Sequence, residues 1–335
     1  MKRFCISLAV IASFALTCLG IDDYAKVINS MTYSPDLEEY ARQGNPTAQN
    51  ALGIVYKGGF GVEKDEAKAV YWFQKAVEKD FANAQVNLGE AYLSGRGVER
   101  DPAMAAALFE KAALQDNQAG MFNLATLYIK GVGVPRNFEK AFQYAEKAAN
   151  AVAKTEIHTK DNAYQSPGMV VIAKAQGFLA LCYRDGIGTA KDIDKSMEYL
   201  KKAARNGNLD AVMILGDAYE NGKNLPRDLA EAEKCYRSAA DKGMSLAQYL
   251  LGVKYSTGET IAKNLPEAIK YLTQAVDNRR GVPTVIKADA LLKLADLLEA
   301  PGETQNAAKA KQYRSQAAKL PAPDREEINK ILSFE

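Results

Sequence analysis

A single histidine, His158, is all that the 335-residue chain contains. That scarcity removes most histidine-dependent zinc sites and leaves any Ser-His-Asp or Cys-His arrangement one candidate base. Cysteine is almost as scarce. Of four, Cys5 and Cys18 fall in an apolar N-terminal run, and only Cys182 and Cys235 belong to the body of the chain. Two thiols cannot form a disulfide framework. An excess of one charge is missing too, with 43 Lys and Arg against 41 Asp and Glu. Lys2 and Arg3 are the only charges in residues 1–20, so the remainder carries 41 of each sign. A neutral chain projects no broad field toward nucleic acid or an anionic membrane. With 47% apolar residues and only 11 prolines, the composition also excludes a disordered, collagenous or disulfide-stapled chain.

Long hydrophobic runs are absent apart from Phe4 to Leu19, which follows Met1-Lys2-Arg3 and ends at Gly20. This is the pattern of a secretory signal peptide, too short for a comfortable membrane span. The expectation is cleavage after Gly20, a mature chain exported to the periplasm or secreted, and no stable span after cleavage. Acylation at Cys18 is the minor alternative, because Ala15-Leu16-Thr17 before it makes a poor lipobox.

What the chain has in abundance is self-similarity. Ala48…Leu52-Gly53…Tyr56 returns as Ala84…Leu88-Gly89…Tyr92 and as Gly120…Leu124-Ala125…Tyr128. Later copies centre on Leu179, Leu215 and Leu251, with a faded seventh on Leu294. The leucines step by 36, 36, 55, 36, 36 and 43 residues, so one period of 36 carries insertions of 19 and 7. Ala48, Leu52 and Tyr56 share one face of a helix. A glycine three residues past the tyrosine (Gly59, Gly95, Gly131, Gly186, Gly222, Gly258) suits a left-handed helix end. Six residues later Asp65, Asp101, Asn137, Asp192, Asp228 or Asn264 suits the N-cap of a second helix. One hairpin of this size cannot bury its apolar face alone, but stacked neighbours can.

The pattern LG-x2-Y-x2-G-x-GV-x2-D-x3-A…KA resembles the Sel1-like repeat, a relative of the tetratricopeptide repeat. The resemblance covers roughly residues 45–320; it weakens at Asn224 and Thr260, where the second glycine is missing, and is faint after residue 282. It implies an all-α solenoid of about six to seven helix-hairpin repeats with terminal capping helices. On this reading residues 21–44 cap the start, with Leu37 and Tyr40-Ala41 on a half repeat. Residues 45–320 form the array, with an insertion at about 152–168. Residues 321–335 close the end with a helix carrying Ile328, Ile331 and Leu332. Fourteen to sixteen helices are expected.

Candidate chemistry is thin. Gly59-x-Gly61 and its equivalents could suggest a phosphate loop, but no strand precedes them and the pair recurs, which favours a turn. Lys64, Arg100, Arg136, Lys191, Arg227 and Lys263 form a basic ladder that either meets an acidic partner or, more plainly, sits on solvated turns. His158 lies in the insertion with no cysteine nearby and reads as a loop residue; the insertion is either functional or a tolerated bulge. Cys182 and Cys235 fall on helices that are not first neighbours, so free thiols are expected. The cysteine-rich Sel1-like subgroup, some members of which resemble penicillin-binding hydrolases, pairs cysteines within each repeat. This chain departs from that pattern.

The resemblance therefore implies a non-catalytic, monomeric scaffold or adaptor that binds a protein or peptide partner, without cofactor or metal. Exported bacterial members include host-interaction factors and envelope or signalling regulators. A cell-wall or β-lactam hydrolase is the alternative, and an envelope scaffold with no discrete ligand a third. In tetratricopeptide-like stacks the first helices line the concave face, so residues two before and two after each leucine are expected there. These include Val86, Glu90, Phe122, Thr126, Tyr249 and Val253, with Leu93 and Ile129 one turn further on. Val86, Leu93, Phe122 and Ile129 then form an apolar strip that either receives a partner or closes into ordinary core.

Overall fold

The computed structural model describes residues 32–151, 167–278, 281–302 and 304–332. The signal-like run, Cys18, His158 and most of the insertion lie outside these residues. Among the described residues there are sixteen α-helices and no strand. They form an α-solenoid of seven helix hairpins, divided into two compact units at Gly207 and Asn208.

The first unit opens with the capping helix α1 (Pro35–Arg42). Three hairpins follow: α2 (Pro46–Gly58) with α3 (Glu66–Val77), α4 (Ala82–Ser94) with α5 (Pro102–Leu114), and α6 (Gln118–Lys130) with α7 (Phe138–Asn150). The fourth pairs α8 (Pro167–Asp185) with α9 (Ile193–Arg205). Helix α8 starts six residues ahead of Ala173, where the period places its beginning, so the last part of the insertion is helical. The second unit holds α10 (Leu209–Asn221) with α11 (Leu229–Asp241), α12 (Ser245–Thr257) with α13 (Leu265–Val276), and α14 (Thr284–Glu299) with α15 (Ala307–Ala317). Helix α16 (Arg325–Leu332) covers its end, burying Ile328.

Each hairpin closes in the same way. The N-cap side chain accepts from a backbone N–H one turn into the second helix, as Asp65 Oδ1 does from Lys68 at 2.9 Å. Its own N–H reaches back to the carbonyl of the motif tyrosine: Asp65 to Tyr56 at 3.0 Å, Asp101 to Tyr92 at 2.9 Å, Asn264 to Tyr255 at 3.0 Å. The faded seventh hairpin does likewise, Asn306 donating to Leu298 at 2.8 Å. Between cap and tyrosine the chain turns through Gly59, Gly95, Gly131, Gly186, Gly222 and Gly258, all at positive φ.

Two further glycine positions set the packing. A Cβ on Gly89 would stand 2.6 Å from the Phe109 ring, so the glycine beside the leucine makes room for the second helix of its own hairpin. A Cβ on Gly97 would stand 2.1 Å from the Glu66 carbonyl oxygen, so the turn of one hairpin lies against the backbone of the hairpin before it. Asn224 fills the corresponding place in the fifth copy with a left-handed backbone of its own, φ 61°.

A buried glutamine ladder ties successive hairpins together. Gln49 donates to the Ala41 carbonyl (3.0 Å), and Gln248 to the Ala240 carbonyl (3.0 Å), each in the preceding helix. The side-chain oxygen of each glutamine is met thirty residues on: Gln85 by Gln115, Gln176 by Asn206, Gln248 by Asn278. In the first copy that place is Lys79, and Gln49 Oε1 is buried without a hydrogen-bond partner among the described residues. Such an orphan costs about 1–3 kcal/mol.

Three stability outcomes are expected. Gly95→Val should lower unfolding free energy in urea by about 1 kcal/mol or more, since valine resists the positive φ. Arg100→Ala on the adjoining exposed turn should stay within about 0.5 kcal/mol of the parent. Lys79→Asn should raise stability by about 1 kcal/mol by pairing with Gln49, and an unchanged midpoint would contradict the assignment of the orphan.

Candidate functional site

The face that could receive a partner is carried by the first helices. In the first unit α4 touches α6 and α6 touches α8, so their outward residues form a continuous surface. Phe122 is half-buried and meets Phe178 of α8 edge to face, with ring centroids 6.4 Å apart. Leu93 and Ile129 are half-buried against a cluster containing Phe109, Leu124 and Leu127. Thr126 is half-buried and donates its hydroxyl to the Phe122 carbonyl at 3.0 Å. Glu90 is exposed and paired with Lys57 of α2 at 3.0 Å. Leu181, 37% exposed, extends the apolar row into the fourth hairpin.

Two residues expected on the concave face, Val86 of the strip and Tyr249, are buried. Val86 is 7% exposed, packed with Leu124 and Leu127 of the next first helix. Tyr249 is 3% exposed and donates its hydroxyl to Asp289 of α14 at 2.5 Å. Val253 is half-buried against the same cluster, which includes Leu291 and Leu294. The reason is angular. Residues two before and two after the leucine sit four apart, or about 40° round the helix at roughly 100° per residue. The earlier one turns toward the following hairpin and the later one toward the groove side. Asn50 shows the same bias, buried and accepting from Asn87 of α4 at 2.8 Å.

Between α2, α3 and α4 lies a cleft of about 290 Å³. Its floor is Ala69, Val70, Phe73 and Ala91, and its rim carries Lys57, Glu66, Glu90 and Arg96. Leu93 also lines it, so two of the residues expected on the concave face, Glu90 and Leu93, border this cleft. One period later the places of Lys57, Leu93 and Arg96 are held by Leu93, Ile129 and Val132, which pack into the apolar cluster there. Lys57 and Arg96 were missed in the sequence because charged residues in a last helical turn and on the loop after one look ordinary until the period is compared position by position.

The second unit offers a different surface. Glu220 and Lys254 pair at 2.5 Å with little exposure, and Tyr236 donates to Glu220 at 2.7 Å. Burial pushes the Glu220 carboxyl up, but the Lys254 and Tyr236 hydrogen bonds outweigh it and hold the group below the usual range. Neighbouring Asp217 is raised by burial and by the Glu220 charge. This cluster is internally satisfied and acts as a clasp between α10 and α12.

Cys182 and Cys235 are free thiols. Cys182 is fully buried, and burial together with the Asp185 charge pushes its thiol up to about 12. Cys235 is half-buried and also raised by burial. It occupies the place where Tyr144, Tyr199 and Tyr271 stack on motif tyrosines in other hairpins. At pH 8 Cys182 should hold roughly a thousandfold less thiolate than an ordinary thiol. Iodoacetamide followed by peptide mass spectrometry should leave Cys182 unmodified in the native protein and modify it in urea; native labelling as fast as unfolded would contradict its burial.

No helix among the described residues is long and apolar enough to cross a membrane. The family model for the Sel1 repeat matches seven segments, residues 46–81, 82–117, 118–151, 173–208, 209–244, 245–278 and 288–321. A Sel1 repeat protein of Oxalobacter formigenes is similar in structure, with TM-score 0.61 and 28% identity over 72% of this chain and 89% of that one. A protective antigen present in uropathogenic Escherichia coli strains, which displays an SLR fold, gives TM-score 0.57 and 30% identity over 92% of this chain. The chain spans 60% of that antigen's length. No significant match to a curated protein sequence was found.

Proposed function

The chain belongs to the Sel1 repeat family, and from that premise we propose that it is an exported, non-catalytic scaffold that holds a partner protein or peptide on its first-helix face. The carrying observation is the part-exposed apolar row of Leu93, Phe122, Ile129 and Leu181 across α4, α6 and α8. Solvated helix faces are ordinarily polar, and a contiguous apolar row at a surface usually serves association. Large side chains such as Phe122, braced from behind by Phe178, suit the central anchors of an interface.

Export rests on the basic start and apolar run of residues 1–20, and the partner would be met in the periplasm or outside the cell. Likeness to an antigen of a pathogenic strain fits a protein displayed beyond the cytoplasm. Against the hydrolase alternative stands the chemistry of the thiols. A nucleophilic cysteine needs a depressed pKa, whereas both thiols here are raised.

Crosslinking in the native cell, followed by mass spectrometry, tests the scaffold reading directly. A folded Phe122→Ala, Ile129→Ala double variant should lose at least about tenfold in partner capture, equivalent to roughly 1.4 kcal/mol, at unchanged secondary structure. Undiminished capture would refute the face. The mature N-terminus should read Ile21; a lipid-modified Cys18 or an intact Met1 would overturn cleavage at Gly20.

A further inference from the structure

The cleft between the first two hairpins differs from the junction that follows it. At the next junction, Leu93, Ile129 and Val132 close the corresponding space with apolar side chains. Here Lys57 and Arg96 stand at two of those places, and a cleft of about 290 Å³ lies over a buried apolar floor of Val70, Phe73 and Ala91. That volume is at the lower end for small-molecule sites, which run to about 1,000 Å³. It is scaled to one or two side chains.

The rim carries two cations and two acids, but Lys64 beside it engages one of the acids. Glu90 is paired with Lys57 at 3.0 Å, and Glu66 with Lys64 at 2.7 Å. Arg96 is exposed, and its guanidinium makes no hydrogen bond or ion pair among the described residues; Glu66 feels it only at longer range. One unpaired cation therefore stands at the mouth of an apolar cavity. A guanidinium offers a fork of donors that matches a carboxylate. The chemistry complementary to this arrangement is an apolar side chain beside a carboxylate.

The geometry points to a specific occupant: a partner peptide segment that inserts a large apolar side chain, leucine or phenylalanine, onto Val70 and Phe73 and sets an adjacent Asp or Glu against Arg96. This deepens the scaffold reading and rests on it. It places one sequence-specific pocket at the α2–α4 end of the apolar row, so that the row supplies area and the cleft supplies selection.

The test uses the full mature chain with methyl-labelled Val, Leu and Ile, titrated with three blocked octapeptides. These share a glycine-serine frame around Phe-Asp, Phe-Asn or Phe-Lys. The Phe-Asp peptide should shift the Val70 and Leu93 methyl signals and bind at least tenfold more tightly than Phe-Asn. Arg96→Glu, a solvated loop change expected to leave melting unaltered, should invert the order so that Phe-Lys binds best. Ser94→Trp, on the exposed side of the cleft, should abolish the Val70 shift.

Shifts at Val70 without a charge preference, or an unchanged order in Arg96→Glu, would overturn the proposal. Shifts confined to Ile129 and Leu181 would also overturn it, while leaving the first-helix face as the binding surface. No shift with any peptide at millimolar concentration would overturn the pocket, and the cellular crosslinking result would still decide the scaffold reading separately.

Discussion

The hydrogen bond from each N-cap amide back to the carbonyl of the motif tyrosine is the joint on which the array depends. It satisfies one of the open carbonyls at the end of the first helix and one of the open amides before the second. With both groups engaged, the two helices leave the turn at a fixed angle whatever the intervening side chains. The tyrosine is thereby held at the hairpin mouth, where its ring stacks on Tyr144, Tyr199 or Tyr271 of the second helix. A lysine one turn into that helix covers the ring from outside, Lys140 lying 5.3 Å from the Tyr128 centroid. Such a pair adds about 0.5–1 kcal/mol at an exposed site.

Most of this scaffold was legible in the sequence, because the signals are local and repeated. The six left-handed glycines and the six caps stand where the period puts them. Glycine was readable at those places because no side chain competes for the conformation. The seventh hairpin was faint because Leu298 replaces tyrosine and Pro301 stands where the period puts the glycine, yet the backbone bond persists. A backbone bond needs no particular side chain, so it survives where the sequence signal fades.

The candidate surface was only half legible. Glu90, Leu93, Phe122, Thr126 and Ile129 lie outward or half outward, whereas Val86 and Tyr249 are core. A helical period locates a face to within one residue, but the boundary between groove and neighbour depends on the offset between hairpins, which no single hairpin encodes. The cleft was invisible for a related reason. It arises from what Lys57 and Arg96 fail to fill, and a void has no residue of its own in the sequence.

The turn inside the first six hairpins has one length. From the helix-ending glycine to the cap the chain takes six steps, from Gly59 to Asp65 through to Gly258 to Asn264, and the seventh turn is shorter by one residue, its cap bonding back eight residues to Leu298 rather than nine. Both insertions in the period fall elsewhere, before α8 and before α14, in the links from one hairpin to the next. The turn is gauged against the preceding backbone, as the 2.1 Å approach of a Gly97 Cβ to the Glu66 carbonyl makes plain. A residue added there would lift the whole hairpin off its neighbour, whereas the insertions of 19 and 7 residues fall in the links. Lineages of this architecture are therefore free to acquire new segments between hairpins and barred from acquiring them within one, and a foreign domain grafted into the link before α8 inherits that freedom.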